Sequence, residues 1–528
     1  MRIYLEGICK QGAIFIITLF LLSSFFQGCT NSDSNDIFIS SPKLEMNPNG
    51  NTPLAGRIVF STIDEYKTQM TMSDGETQET VQFSQFQTEH EYMVLGCKPG
   101  RAYTLDLTLE DYDANLRTYE QVVTFETDDL PSDFPSMAVT SDPERMEPGI
   151  TLFSPTNFNG TNQNNYMIAV DANGEVVWYY IAEGQVNEIK RLSNGNLLSI
   201  IAGMLVEIDM LGRTIALWKD TMDEGHDEDS IILDTLSMHH DVIEISGDRF
   251  WLLGLEIRTF ADYPTSETDP DAPLQETDVL GDVIYEINRE GETLRTFSTF
   301  DLIDPYRLGY DSLSTPRSGM GDADWSHSNA ILYDEETQTG MISVRNQDAV
   351  VKFDVISGEI IWILGPHENW SEEYTPYLLN PIDENTLWQY HQHAQEVLPN
   401  GNILLFDNGN YRASPPDRPL ANDELFSRAV EYTIDEESMT VSQVWEYGQF
   451  IDEILYCSFF GDADYLPNMD NVLVTFGGSN NGRIVEVTHT TPSESVFSLM
   501  MTNENVSEGG YSIYRADRLH SLYPDDTK

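Results

Sequence analysis

The chain has 528 residues, of which 40% are hydrophobic and 11% aromatic, enough for about two to four globular domains. Its 28 basic residues are outnumbered by 88 acidic ones, so the formal net charge is −60 at pH 7. A charge of this sign and size repels phosphate backbones, and the composition therefore excludes a nucleic-acid partner. A solvated, strongly acidic surface instead suits a salty medium outside the cytosol.

The N-terminus has the pattern of an export signal. A basic flank precedes the apolar run of residues 13–26, which is shorter than a typical membrane-spanning helix. The segment "FQGC" then ends at Cys29 and resembles the cleavage site of a bacterial lipoprotein. We expect residues 1–28 to be removed, Cys29 to carry the lipid and residues 29–37 to form a polar tether. This predicts an exported, periplasmic or surface lipoprotein of the cell envelope, whose lipid anchor is its only membrane contact.

Residues 38–140 contain short, strand-like runs. Apolar and polar residues alternate in "GRIVFSTI", "AYTLDLTLED" and "YEQVVTFET", and polar turns separate these runs. The pattern predicts a small N-terminal β-sandwich. The acidic, proline-rich segment 128–149 follows and is a natural domain boundary.

From residue 150 to residue 528 the chain repeats a unit of four predicted strands. The turn between the first two strands recurs in "RLSNGNLLSI", "EISGDRFWLL", "VLPNGNILLF" and "YLPNMDNVLV". A third strand of the type "VVKFDV" follows, and the closing strand often carries tryptophan, as in "GEIIWIL". Four strands per unit, repeated about every 40 to 75 residues, are typical of β-propeller blades. The chain is therefore predicted to be all-β, with a six-bladed β-propeller after the sandwich.

The repeat places several histidines in one register. Counting back five residues from the apolar residue before each turn gives Asn187, His240, His327, His393 and Gly461. The first strand of a blade lines the central channel, so we expect these side chains to converge at one mouth. Residues two apart in a strand face the same side, so Asn329 and Gln395, two residues after His327 and His393, are expected to face the channel as well. His239 and His391 lie outside the register, although His391 shares a strand face with His393. A ring of polar side chains that merely fills a wet channel is the alternative.

Two polar segments follow the histidine strands. "SVRNQD" places Arg345 after the His327 strand, and "FDNGNYR" places Asn408 after the His393 strand. An exposed arginine and an ordinary Asn-Gly turn are the simpler interpretations. Because both segments are close to the histidines, they are also candidates for a functional site.

Four segments together resemble the bacterial aryl-sulfate sulfotransferases: "HHDVIEI", "DWSHSNAILYD", "SVRNQDAVVKFDVISGEIIWILGPHENW" and "QHAQEVLPNGNILLFDNGNYR". These are exported enzymes with a small N-terminal β-sandwich and a six-bladed propeller. The resemblance covers most of residues 40–520 and is most specific from Asp324 to Arg412. It implies transfer of a sulfuryl group from a phenolic sulfate ester to a phenol, without a nucleotide donor, a metal or another cofactor.

The resemblance also implies a ping-pong mechanism with a sulfated histidine. The family's nucleophile falls on His393, and its other catalytic positions fall on His240, His327 and Arg345. We assign substrate binding to four further residues, Asn329, His391, Gln392 and Asn408. A neutral imidazole is a nucleophile near pH 7, and Arg345 is suited to stabilise the sulfuryl oxygens. A protonated His240 or His327 would supply the proton that a departing phenolate takes up.

Two other functions remain open on the sequence. Three histidines around one axis are able to hold zinc, with Asp241 completing the shell, as in a metal-dependent hydrolase. A non-catalytic propeller that binds a glycan or a protein is the other alternative. A homodimer is compatible with either function and with the sulfotransferase.

Overall fold

The computed structural model describes residues 37–524, with gaps at 158–163, 223–229, 247, 317, 384–385, 452, 479–480 and 503–509. The predicted export signal and Cys29 lie outside the described residues. Within them the regular structure is β-strand, apart from three short helical turns at Thr299–Leu302 (α1), Arg345–Gln347 and Thr375–Tyr377. The all-β prediction is confirmed. In the described part of the chain, no helix is long and apolar enough to cross a membrane.

The first part of the chain forms one six-stranded sheet. Its strands are β1 (Phe38–Met46), β2 (Gly56–Ser73), β3 (Gln78–Val94), β4 (Ala102–Glu110), β5 (Leu116–Thr118) and β6 (Val123–Glu126). The long β2 pairs with β3 along one edge and with β1 and β4 along the other. The pairing of β2 with β3 shifts in register between Ser61 and Tyr66, where β4 replaces β1 as the other partner of β2. Along β4 alternate side chains are buried, among them Leu105, Leu107 and Leu109.

Six further sheets follow, and most of them are local antiparallel meanders. Their strands in chain order are β7 (Ser136–Ser141), β8 (Ile150–Thr156), β9 (Asn165–Val170), β10 (Val176–Ala182), β11 (Val186–Arg191), β12 (Leu197–Ile201), β13 (Met204–Ile208), β14 (Thr214–Asp220), β15 (Ile231–Leu233), β16 (Leu236–Ser246), β17 (Arg249–Tyr263), β18 (Gln275–Asn288), β19 (Thr293–Ser298), β20 (Ala323–Asp324), β21 (Ser328–Asp334), β22 (Thr339–Val344), β23 (Ala349–Asp354), β24 (Ile360–Leu364), β25 (Asn380–Pro381), β26 (His393–Val397), β27 (Ile403–Asp407), β28 (Arg428–Asp435), β29 (Thr440–Tyr447), β30 (Asp462–Leu466), β31 (Asn471–Phe476), β32 (Arg483–Thr488), β33 (Ser495–Thr502) and β34 (Ser512–Leu519). The sheets are formed by β8–β10 with β34, β11–β15, β16–β20, β21–β24, β25–β29, and β30–β33 with β7.

Two of these sheets join distant parts of the chain. The C-terminal β34 pairs with β8 and completes the first of the six sheets. The early β7 pairs with β33 and forms the outer edge of the last one. The predicted domain boundary separates residues 136–141 from the later strands. In the structure these residues belong to the last sheet. Both pairings tie the beginning of this part of the chain to its end.

Six strands at the edges of the sheets contact one another in a cyclic order. The order is β11, β16, β21, β26, β30 and β34, and β34 also contacts β11; we call them the inner strands. Away from the inner strands, buried tryptophans fill the spaces between sheets. Trp218 of β14 packs edge-on against Phe250 of β17, with 5.9 Å between the ring centroids. Its indole N–H donates to the Arg289 carbonyl oxygen at 3.1 Å, so the polar end of the ring is satisfied.

Candidate active site

A cavity of about 500 Å³ lies where the inner strands begin. The predicted catalytic residues line it together, although they come from three different sheets: His240, His327 with Arg345, and His393. Asn187, from the same predicted register, is also in the wall. The cavity therefore brings together four of the predicted register positions, whereas Gly461, Asn329 and Gln395 are not in its wall.

Backbone irregularities aim these side chains. The inner strands carry register shifts near the cavity, between Val186 and Ile189, His239 and Val242, Ser328 and Ala330, His393 and Glu396, and Ile513 and Ala516. His240 and His327 have φ values of 55° and 48°, in the left-handed region that non-glycine residues seldom adopt. Such bulges often adjoin active sites because they turn a side chain out of the regular alternation.

The protonation state of the His393 ring follows from its contacts. His393 Nδ1 lies 2.6 Å from Asn408 Oδ1. The amide nitrogen of Asn408 donates to the carbonyl oxygens of Cys457 (2.8 Å) and Phe460 (2.7 Å), which fixes the orientation of the amide. Asn408 Oδ1 is then only an acceptor, so the His393 proton resides on Nδ1. In the neutral ring, Nε2 carries a free lone pair.

Burial keeps the His393 ring neutral. Its pKa is lowered well below the ordinary value, first by desolvation and then by the charge of Arg345. The hydrogen bond to Asn408 opposes this effect without reversing it. A buried neutral imidazole with one nitrogen held and the other unprotonated is prepared to act as a nucleophile.

Arg345 supplies positive charge to the cavity. Its guanidinium donates to Asn346 Oδ1 at 2.7 Å and to the Ser458 carbonyl oxygen at 3.2 Å. Asp311 Oδ2 lies 3.8 Å from Nη1. These contacts use only part of the five N–H donors of the guanidinium, so the rest remain for an anionic ligand.

His327 is paired with a carboxylate. Its Nδ1 lies 2.6 Å from Asp324 Oδ2, three residues earlier in the chain. Because the carboxylate accepts, the Nδ1 proton points toward Asp324, and Nε2 is the nitrogen left for a ligand.

His240 lies between two other imidazoles. Its ring centroid is 5.1 Å from that of His327 and 5.0 Å from that of His239, both in edge-to-face arrangements. The Nδ1 atoms of His239 and His240 are 2.8 Å apart. Burial lowers the pKa of His240 well below its ordinary value, and the neighbouring histidines lower it further. The sequence register missed His239, which lines the same cavity.

Part of the cavity wall is apolar and aromatic. Leu255, Leu280, Phe459, Phe460 and Tyr514 contribute to this wall. The Phe460 ring packs edge-on against the rings of Phe459 and Tyr514, with centroids 5.0 Å apart in both pairs. A flat aromatic ligand would find edge and face contacts there.

Asn329, Gln392 and Asn408 are fully buried, outside the lining of the cavity. The Asn329 amide donates to the Gln392 carbonyl oxygen at 2.7 Å, and the Gln392 amide donates to Ser343 Oγ at 2.9 Å. These contacts fix the segment that leads into His393. The positions do not support direct contact with a substrate; they support a role in holding the neighbours of the cavity.

His391 is also buried, behind the cavity. Its Nδ1 lies 2.8 Å from Asp348 Oδ1 and its Nε2 lies 3.3 Å from Asp311 Oδ2. Burial and Arg345 lower its pKa, but the two carboxylates outweigh them and raise it. The two histidines of the "HQH" segment thus shift in opposite directions: the His393 pKa is lowered and the His391 pKa is raised.

The structure adds carboxylates that the sequence register did not single out. Asp282, Asp311 and Asp324 are in the cavity wall. Each contacts an imidazole, so none presents an unpaired negative charge. The described residues contain no group of three or more His, Cys, Asp or Glu side chains arranged to hold a metal ion.

Comparison with known proteins gives partial matches to two enzymes. The chain is 29% identical to an arylsulfate sulfotransferase of Escherichia coli over 243 residues, which is 38% of this chain and 40% of that protein. It is 26% identical to an arylsulfate sulfotransferase of Lelliottia amnigena over 251 residues, 39% of this chain and 41% of that protein. The aligned segments thus span about two fifths of these relatives.

Among solved structures, the chain is similar to the periplasmic gluconolactonase PpgL of Pseudomonas aeruginosa. The identity is 10% and the TM-score 0.33, over 69% of this chain and 99% of that one. This low similarity carries no information about activity. The arylsulfotransferase family profile, in contrast, matches residues 136–515, from β7 into β34. The chain belongs to the arylsulfotransferase family.

Proposed function

We propose that this protein is an aryl-sulfate sulfotransferase, which moves a sulfuryl group from a phenolic sulfate ester to a phenol through a sulfated His393. One observation carries the proposal above the others. His393 Nδ1 is held by Asn408 Oδ1 at 2.6 Å, which leaves the Nε2 lone pair of a neutral, buried imidazole in the cavity that Arg345 also lines. The family membership of the chain supports the same reaction class.

In the first half-reaction, the Nε2 lone pair of His393 attacks the sulfur of the aryl sulfate. The N–S bond forms as the bond between sulfur and the aryl oxygen breaks, and the phenolate leaves with that electron pair. A cavity histidine, His240 or His327, protonates it. In the second half-reaction a phenol gives its proton to the same cavity histidine, and the phenol oxygen attacks sulfur. The N–S bond breaks, and its electron pair returns to His393.

Arg345 favours this transfer because the sulfuryl group keeps its negative charge throughout. Sulfuryl transfer resembles phosphoryl transfer, with a loose transition state whose charge lies on the equatorial oxygens. The Arg345 guanidinium and the His327 ring both line the cavity, and we assign them to these oxygens. A chain with a net charge of −60 needs such a local positive site to bind an anionic ester.

The aromatic wall supports phenols as substrates. Phe459, Phe460 and Tyr514 offer ring contacts to the aryl group of the donor and then to that of the acceptor. At about 500 Å³ the cavity is within the range of small-molecule sites. Occupation by donor and acceptor in turn fits a ping-pong reaction.

We also infer that the six sheets are the blades of a closed propeller and that the first sheet bends into the predicted sandwich. The cyclic contacts of the inner strands and the two pairings of chain ends support the first inference. The change of partner along β2, from β1 to β4 across a register shift, supports the second. Export and a lipid anchor at Cys29 are the remaining parts of the proposal, and they rest on the sequence pattern.

The test uses the purified protein and 4-nitrophenyl sulfate. We expect a stoichiometric burst of nitrophenol without acceptor, followed by turnover when phenol is added, both unaffected by a chelator. Mass spectrometry of the burst product is expected to find about 80 Da, one sulfuryl group, on the peptide that contains His393. Turnover without any adduct, or with the adduct on another residue, would contradict the proposed intermediate. Activity lost with the chelator would favour a metal-dependent hydrolase.

A further inference from the structure

A chain of three side chains leads from the cavity into the protein. The Nδ1 atoms of His240 and His239 are 2.8 Å apart, and His239 Nε2 lies 3.3 Å from Asp282 Oδ1. That His239 nitrogen is buried, and the Asp282 carboxylate lies within ion-pair distance of it. Asp282 lies on β18 and the two histidines lie on β16, the inner strand of the same sheet.

Asp282 is held as a carboxylate. Its Oδ2 accepts hydrogen bonds from Ser326 Oγ at 2.6 Å and from the backbone N–H of Ser328 at 2.5 Å. Although burial raises its pKa, these donors and His239 bring the pKa below the ordinary value. The carboxylate therefore acts only as an acceptor toward His239.

The short contact between the two imidazoles requires one proton between them. When both rings are neutral, the His239 proton sits on Nε2 toward Asp282, and His239 Nδ1 is an acceptor. His240 then donates from Nδ1, which leaves its Nε2 as a proton acceptor in the cavity. When the pair gains a proton, that proton enters at His240 Nε2. The shared Nδ1 proton then moves to His239, beside the Asp282 charge.

We propose that Asp282 and His239 are positioning residues that make His240 the acid and base of the sulfuryl transfer. This inference rests on the proposed function. In the second half-reaction the O–H bond of the phenol breaks and its proton passes to His240 Nε2, while the oxygen attacks sulfur and the N–S electron pair returns to His393. In the first half-reaction the pair already holds a proton at His240 Nε2, taken up from solvent or from the acceptor of the preceding turnover, and this proton passes to the departing phenolate oxygen. One residue serves both steps because each step is the chemical reverse of the other.

His327 has a different part in this scheme. Its own carboxylate, Asp324, contacts Nδ1 directly at 2.6 Å without an intervening imidazole. We assign it to the sulfuryl oxygens, together with Arg345.

The test compares two acceptors in the same variant. The donor is 4-nitrophenyl sulfate, whose leaving group needs no acid, and the acceptors are phenol and a polyfluorinated phenol that is ionised at the assay pH. For Asp282→Asn and His239→Gln we expect transfer to phenol to fall about 10–100-fold, because the base is weakened. Transfer to the ionised phenol and the burst that sulfates His393 are expected to change less than about threefold.

The ratio of the two acceptors is measured on one folded sample, so a loss of folded protein cannot imitate the result. His489→Gln is the matched control. His489 also pairs with a carboxylate, Glu431, at 2.6 Å, and it does not line the cavity. We expect no change in its acceptor ratio. An equal loss with both acceptors, or an unchanged rate with phenol, would overturn the role of the pair. Absence of the burst in the unmodified protein would instead refute the proposed function itself.

Discussion

The inner strands carry two groups of buried ionisable residues that respond to burial in opposite ways. Around the cavity, desolvation lowers the pKa of His240 and His393 and so favours their neutral forms. Further along the same strands lies a group that we call the carboxylate band: Glu188, Glu396, Asp462, Asp464 and Asp517. There desolvation raises the pKa of Glu188 and Glu396 to about 7 and that of Asp462 to about 6.

The two groups also differ in how charge is paired. In the cavity, each carboxylate contacts an imidazole: Asp282 meets His239, Asp324 meets His327 and Asp311 meets His391. In the band, five carboxylates share Lys190 and Arg515, and Arg515 Nη1 lies 2.9 Å from Glu188 Oε2. Burial alone therefore does not make a site. In the cavity, each carboxylate has its own imidazole partner, so an anionic ligand can still bind there although the protein is very acidic. In the carboxylate band, several carboxylates share two cations, so the contribution of the band to stability depends on pH.

The largest expected effect comes from removing the nucleophile. His393→Gln is expected to abolish the burst and lower turnover at least about 10³-fold, because glutamine keeps a polar group but has no nucleophilic nitrogen. His391→Gln, from the same "HQH" segment, is the matched comparison. We expect it to retain the adduct on His393, with some activity lost through Asp311 and Arg345. Burst kinetics and peptide mass spectrometry measure both results. An adduct that survives in His393→Gln would reverse the assignment.

Arg345→Lys tests the positive charge of the cavity. Lysine keeps the charge but not the planar array of donors, so we expect the burst rate to fall about 10²–10³-fold while acceptor affinity is retained. Arg295→Lys, in an ion pair with Glu286 outside the cavity, is the control and is expected to leave the burst rate unchanged. If Arg345→Lys has a normal burst rate, the sulfuryl oxygens are stabilised elsewhere.

Asn408→Ala tests the tautomer of His393. Without Oδ1, the Nδ1 proton loses its acceptor and the ring is free to rotate, so we expect kcat to fall about 10–100-fold with a smaller change in KM. Asn408→Gln would separate loss of the acceptor from loss of its placement, since it keeps the amide one methylene further away. Steady-state kinetics on protein of verified thermal stability decides the outcome. A change in KM alone would show that Asn408 binds substrate, as its sequence position first suggested.

The sequence predicted the convergence of the histidines because the turns mark the register of each unit. Inner strands that start at equivalent positions bring equivalent side chains to one cavity, and this placed His240, His327 and His393 correctly. It missed His239 for a physical reason. In a regular strand, neighbouring residues face opposite sides, but the left-handed φ at His240 lets both rings line the cavity.

Other contacts of the site and of the fold could not be predicted from the local sequence pattern. Asp282 comes from β18, and the repeat gave no reason to connect it with His239. Asn408 was expected to bind substrate because of its nearness to His393, whereas its amide is fully used by His393, Cys457 and Phe460. The pairing of β7 with β33 likewise depends on two strands more than three hundred residues apart, which alternation within either strand does not reveal.

The smallest expected effect concerns the carboxylate band and stability. Burial raises the pKa of Glu396 from its ordinary value of 4.5 to about 7 in the folded protein. Between these values the folded state binds more protons than the unfolded state, so the contribution of Glu396 to stability is present below pH 4.5 and is lost as the pH rises through 7.

Glu396→Gln removes this dependence and keeps an oxygen that accepts from the Tyr465 backbone N–H, now at 2.8 Å from Glu396 Oε2. We expect the variant to be more stable than the unmodified protein at pH 8, by about 1–3 kcal/mol, and equal to it at pH 4.5. Thermal unfolding at both pH values measures this, with Glu437→Gln on an exposed turn as the control. Activity at pH 7 is expected to be unchanged, because Glu396 does not line the cavity. A variant that is less stable at pH 8 would mean that the attraction between Glu396 and Lys190 outweighs desolvation. The carboxylate band would then be paired as effectively as the cavity, and the contrast between the two groups would disappear.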